Sequence, residues 1–491
     1  MRRRPAQRCT PLQSGIPAPE PLNRSADPPT KKSRHVSFVD STPRLPSPPP
    51  ARGRRPSNNT KSSDPVQIRN DRLGTLVQNL SQSLHDAGSW EDFLHSFKDR
   101  SFLSPTVGDI DHPAAKLLQR WREDGVPVNT SSPPWSSDQK DECIRRGCHP
   151  SATKHAPFLR DEMANFIDHK QWVVLPYDDV RHLPLMFSPA AVKDERDRKP
   201  RLRCDHSWSW HWESINETTI PHSPPEAMQF GGALPRILYY GRHANPKFGT
   251  LQANKNDLKD GFYKMYLTPE GCLRLAILLP RYNGEPPLVG IPLACTMGWT
   301  ESPPTFCAMS ETVCDRANAR FKSDPLNAPK HRLSKECERL DSPPSNAPVP
   351  RGSESAEADH LLASVPGVTP LPPEPEHCAP PSNRPLNLPV NHTDVFVDDF
   401  IQLGQGGQRR LNSQRDHLLH AIDEVLDSPL PGDVNRNEAA SVKKIRNGDA
   451  SWCPRKVILG WILDFQRQTL ELPPHRKATL AEIFRFLSST S

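Results

Sequence analysis

The chain has 491 residues and a formal net charge of +6, with only 35% hydrophobic residues and 57 prolines. Length allows two or three domains, but so proline-rich a composition cannot bury a core throughout, so ordered and unstructured tracts alternate. No run approaches the ~20 apolar residues that span a bilayer, and eleven scattered cysteines without an N-terminal apolar segment argue against a disulfide scaffold and for a soluble, intracellular protein of the cytoplasm or nucleus.

Residues 1–70 carry 14 Lys/Arg against 4 Asp/Glu, a net of +10 in a chain of +6, so the rest sums to −4. The basic excess belongs to a tail, residues 1–66, expected to stay disordered. It suits electrostatic contact with nucleic acid, and equally a solvated linker. Within it Arg34-His35-Val36-Ser37-Phe38 fits a phosphatase-docking pattern, a match short enough to arise by chance.

Residues 67–170 read as a helical region. Ile68, Leu73, Leu76, Val77, Leu80 and Leu84 recur at helical spacing, and Trp90, Phe93, Leu94 and Phe97 continue the pattern past Gly88. Further helices are expected over 113–123 and 156–170. Cys143, Cys148, His149 and His155 form the one group resembling a zinc site, but their spacing fits none of the usual closed patterns.

From Gln171 the texture changes to short apolar runs broken by proline and glycine: 172–175, 201–204, 273–279, 289–294, 395–401 and 457–463. Together with helices predicted over 304–321 and 413–426 and a closing hairpin over 457–472, they give an α+β pattern. Trp208, Trp210 and Trp212 alternate near His206 and His211; such aromatics can stack on bases, but core packing is the expected use. Residues 322–392, rich in Pro, Ser, Asn and charge, are expected to be a disordered insertion.

The most telling run is Asp394-Val395-Phe396-Val397-Asp398-Asp399-Phe400. Strand-forming residues flank two adjacent carboxylates, which predicts a hairpin turn whose acids repel unless a divalent cation neutralises them. An exposed acidic turn would give the same letters. Upstream, Asp257 precedes Gly261, Phe262 and Tyr263; alone it fits a cap or surface acid, but three carboxylates from two strands can hold two magnesium ions about 3.5–4 Å apart. Gly298 stands in a loop before the 304–321 helix, where a missing side chain lets backbone approach a ligand or simply makes a turn.

The order of these elements resembles the polymerase core of reverse transcriptases, especially those of Gypsy-like and DIRS-like retrotransposons, over about residues 110–480. The resemblance implies an α+β fold of fingers and palm, with an antiparallel palm sheet packed on helices. Residues 171–321 would form the fingers and first part of the palm, and 393–480 the rest of the palm with a primer-grip-like hairpin. It further implies an RNA-directed DNA polymerase using Mg2+ or Mn2+, a template-primer of RNA or DNA, and deoxynucleoside triphosphates. Asp257, Asp398 and Asp399 fall on its catalytic, metal-binding aspartates. Phe262 falls on the aromatic gate against a ribose 2′-hydroxyl and Gly298 on the glycine beside the incoming nucleotide. Arg201, four residues before Asp205, falls on the triphosphate-binding arginine, whose donor fork matches phosphate oxygens. Leu459, Gly460 and Trp461 fall on the hairpin that grips the primer end. Departures are Asn256 before the first aspartate, in a strand Gln252-Ala253-Asn254 polar enough to suggest loosened geometry, Met297 where retroviral enzymes usually carry Gln, and Phe396 where Tyr is commonest. The alternative is an inactive, truncated retroelement remnant that only binds nucleic acid.

Overall fold

Five strands of the chain converge on one sheet although helices intervene between some of them. A computed structural model describes residues 67–97, 101–195, 198–223, 229–341, 385–427 and 438–489. The basic tail, its docking pattern and residues 342–384 of the expected insertion lie outside the described residues.

The N-terminal helices start and stop where local chemistry dictates. The Asp71 carboxylate accepts from the Gly74 N–H to open helix Arg72–Ala87, and Gly88, at φ 76°, closes it. Ser89 then caps helix Trp90–His95. Val77 and Phe93 are fully buried, as their spacing predicts. Helices Ala115–Asp124, Ser137–Arg146 and Ala156–Asp168 follow, and the first and last of these match expectation to within two residues.

The strands are β1 (Trp172–Pro176), β2 (Phe187–Glu195), β3 (Arg198–Cys204), β4 (Gln252–Asp257), β5 (Ala276–Leu278), β6 (Leu288–Pro292), β7 (Asn391–Phe396), β8 (Asp399–Gly404), β9 (Arg455–Ile458), β10 (Trp461–Asp464) and β11 (Thr469–Glu471). They form a five-stranded sheet ordered β1-β6-β5-β2-β3 and two three-stranded sheets, β4-β8-β7 and β11-β10-β9. The β4-β8-β7 sheet is antiparallel throughout, and helices Ser302–Ser323 and Gln408–Val425, packed on each other, lie against it. No helix among the described residues is long and apolar enough to cross a membrane.

Two expectations need correction. The apolar run 273–279 is not one strand: Thr268 caps helix Pro269–Arg274, which takes Leu273, and the strand holds only Ala276–Leu278. The expected insertion does not begin at Lys322, nor last to His392. Helix Ser302–Ser323 runs on into a folded segment with helix Ser334–Glu338, and β7 already starts at Asn391. The charged letters that read as disorder are used in packing. Leu333 and Cys337 bury against Leu419 and Ile445, and Arg415, fully buried, grips both Asp341 carboxylate oxygens at 2.8 and 3.1 Å. Strand β2 and helices Ala233–His243 and Pro474–Ser489 have no counterpart in the sequence reading.

Candidate active site

Asp257 ends β4 directly opposite Asp399, which begins β8. Phe396 also pairs with Asp399, so Val397 and Asp398 form a two-residue turn between β7 and β8. Val397 sits at φ 59°, an uncommon conformation for a β-branched residue. The fully buried Val395 and Phe400 on the flanking strands hold the turn in place, and the Asp398 carbonyl accepts from the Leu258 N–H at 3.3 Å. As a result, one carboxylate oxygen each from Asp257, Asp398 and Asp399 lies within 4.8 Å of the others.

The electrostatics follow from burial. Desolvation pushes the Asp257 carboxyl up to about 7, with Asp399 and Asp398 adding to the shift and Lys444 opposing it. Asp398 is also raised, by burial and then by Asp399. Two lysines answer the charge. Lys444 Nζ lies 2.6 Å from Asp257 Oδ2, and Lys255 Nζ lies 3.3 Å from Asp399 Oδ1 and 3.6 Å from Asp449 Oδ2. Asp257 Oδ1 is buried with no hydrogen-bond partner among the described residues. Oxygen-only ligands with one orphaned acceptor suit a hard divalent cation such as Mg2+ or Mn2+.

The polar strand β4 is not loosened. Its alternate residues Asn254 and Asn256 point away from Asp257, where Asn256 Nδ2 donates to Asn254 Oδ1 (3.1 Å) and Asn254 Nδ2 to Gln402 Oε1 (3.0 Å). Gln402 Nε2 donates on to Thr393 Oγ1 and the Gln414 carbonyl. This buried amide ladder ties β4 to β8, β7 and helix Gln408–Val425.

The remaining expected site residues are placed as follows. Phe262, on the short helical turn Gly261–Lys264, is half-buried with its ring edge-on to Phe306 at 5.5 Å. Gly298 adopts φ +115°, and a Cβ there would strike the Cys204 carbonyl oxygen. The close approach that demands glycine is therefore made by the chain itself, at the end of β3. Arg201 is exposed on β3, the edge strand of the five-stranded sheet, and not on the sheet that carries the acids. Leu459 and Gly460, both at positive φ, form the two-residue turn joining β9 to β10, and Trp461 begins β10 half-buried. Asp394 takes no part in the acidic group. Although burial pushes it up, the Arg236 guanidinium, bidentate at 2.7 Å, and His392 hold its carboxyl down to about 2.

Two other groups resolve as structural. Cys143, Cys148, His149 and His155 do not converge: His149 pairs with Asp205 and His155 with Asp194, each at 2.9 Å. His331, His420 and Asp423 do converge, but Asp423 is already taken up by the Arg332 guanidinium, whose Nη2 donates to Asp423 Oδ1 at 2.8 Å, and His331 Nε2 lies 2.7 Å from Asp423 Oδ2 and 2.9 Å from Arg332 Nη1. Of the tryptophans, Trp210 donates to the Phe187 carbonyl and Trp212 packs on Trp135, while Trp208 stays 40% exposed.

Sequence reading missed both lysines of the acidic centre. Lys255 was within reach, since residues two apart on a strand share a face. Lys444, nearly two hundred residues from Asp257, left no local signal.

No family model and no curated protein matches the chain. Among solved structures it is similar to the foamy viral protease-reverse transcriptase dRH in complex with double-stranded DNA, at 12% identity and a TM-score of 0.34, over 86% of this chain and 50% of that one. It is also similar to the foamy viral protease-reverse transcriptase with an RNA/DNA hybrid (12%, 0.33, 82% and 37%) and with double-stranded DNA (12%, 0.33, 82% and 58%). The chain thus spans 37% to 58% of the length of these proteins.

Proposed function

We propose that this chain is the polymerase core of a retroelement reverse transcriptase, transferring deoxynucleotides to a primer 3′-hydroxyl on an RNA or DNA template. The observation that carries this reading is the convergence of Asp257, Asp398 and Asp399 from β4 and the β7–β8 turn, with a buried, unpartnered Asp257 oxygen among them. Asp257, Asp398 and Asp399 would hold Mg2+ or Mn2+, which supplies Lewis-acid activation of the hydroxyl and charge neutralisation at the triphosphate.

The chain's own residues do the rest. The β4 and β8 backbones and the β7–β8 turn fix the three carboxylates before substrate arrives, so little reorganisation remains at the moment of reaction. Phe262, its ring edge-on to Phe306, would exclude a 2′-hydroxyl. Arg201 offers a guanidinium fork to the triphosphate, which requires the five-stranded sheet to face the same substrate. The Leu459–Trp461 turn would hold the primer end.

The test is primer extension by the full chain with Mg2+ or Mn2+. Incorporation that disappears in Asp398→Ala upholds the reading. Template-primer binding without incorporation under both metals would overturn it in favour of an inactive nucleic-acid-binding remnant.

A further inference from the structure

The acidic centre brings its own cations, and one of them is placed so that it can leave. Residues 439–441 pair with the exit of β4: Leu258 bridges Ala440, the Ser441 N–H donates to the Asp257 carbonyl at 2.7 Å, and the Lys259 N–H donates to the Ala439 carbonyl at 2.9 Å. These bonds hold the short helix Val442–Arg446 over the acids and deliver Lys444 to Asp257. The two ends of this ion pair differ. The Asp257 side chain is 7% exposed, whereas that of Lys444 is 43% exposed. Lys255 is the contrasting case. Its side chain is only 18% exposed and is held between Asp399 and Asp449.

A half-exposed ammonium gains little from one ion pair, because water solvates it almost as well. A buried carboxylate loses much when left without a counter-charge. The pair therefore serves Asp257 more than Lys444. A cation of higher charge can take it over at small cost to the lysine.

We infer that Lys444 is a tethered counter-cation that balances Asp257 before metal arrives and gives it up when a divalent cation enters, so that metal loading is an exchange of ammonium for metal. This rests on the metal-binding reading of the three acids. Lys444 acts here as a positioning residue through Asp257, and Lys255 remains on Asp399 throughout.

Two measurements on the full chain test it, neither requiring catalysis. In amine labelling with an N-hydroxysuccinimide ester read by mass spectrometry, Lys444 should react several-fold faster in Mg2+ than in KCl of equal ionic strength, while Lys255 should not change. Mn2+ binding followed by electron paramagnetic resonance should tighten several-fold in Lys444→Met and stay near wild type in Lys444→Arg, both variants checked for folding by circular dichroism. Labelling of Lys444 that is unchanged or slowed by Mg2+, or weaker Mn2+ binding in a folded Lys444→Met, overturns the inference. The parent reading fails separately, if Mn2+ binding is indifferent to Asp398→Asn.

Discussion

Asp257 and Asp399 face each other across β4 and β8 as the last registered pair of that ladder, so two acids 142 positions apart are fixed by backbone hydrogen bonds and not by side-chain choice. Their closeness is built into the sheet, and it adds to the burial that raises the Asp257 carboxyl.

That shift has a sign. A carboxyl raised to about 7 from an ordinary value near 4 binds its proton more tightly in the folded protein, so its contribution to stability falls as pH rises from about 4 through 7. Metal binding needs the ionised form and should restore what is lost. Mg2+ is therefore expected to raise the melting temperature more at pH 8 than at pH 6, with affinity dropping about tenfold per unit below 7. Asp257→Asn should abolish the difference, as differential scanning fluorimetry would show.

His206 gives the opposite pH signature. Its ring, fully buried between the Ser188 and Thr296 hydroxyls at 2.8 and 2.9 Å, is lowered by burial to about 3. The unfolded chain takes up a proton near pH 6.5 that the folded chain refuses, so stability present above 6.5 is lost as pH falls toward 3, at about 1.4 kcal/mol per unit. Urea unfolding between pH 6 and 4.5 should show a slope shallower by one proton in His206→Gln than in wild type.

Gly298→Ala should destabilise by about 2–4 kcal/mol, since the new Cβ meets both an unfavourable φ and the Cys204 carbonyl. A melting temperature within one degree of wild type would refute the placement of this loop.

Asp394→Asn separates structure from site. Breaking the buried Arg236 pair should cost about 3–5 kcal/mol, yet Mn2+ affinity measured below the melting transition should hold, because Asp394 lies outside the carboxylate group. Loss of metal binding in the folded variant would contradict that separation.

Much of this was legible in the residues. The acids at 398 and 399 announced a hairpin because β-formers flank them, and helix Ser302–Ser323 followed from proline at its start. The 322–341 segment misled because its charges pair with partners roughly a hundred residues away, such as Arg332 with Glu438, and local composition cannot separate a solvated charge from a paired one. The polarity of Asn254 and Asn256 misled for the same reason: their amide partner, Gln402, lies across the sheet. Leu273 was lost to a helix because a short apolar run does not distinguish strand from helix end.

β4 has chain on both flanks: β8 on one side and, on the other, Cys453 opposite Ala253 and the 439–441 segment beside Asp257 and Leu258. A fragment cut before residue 438 would keep every acid of the centre and still leave that strand with a bare edge, open to pairing with a neighbouring molecule. Loss of that segment would thus make the chain prone to edge-to-edge association before a single carboxylate was touched.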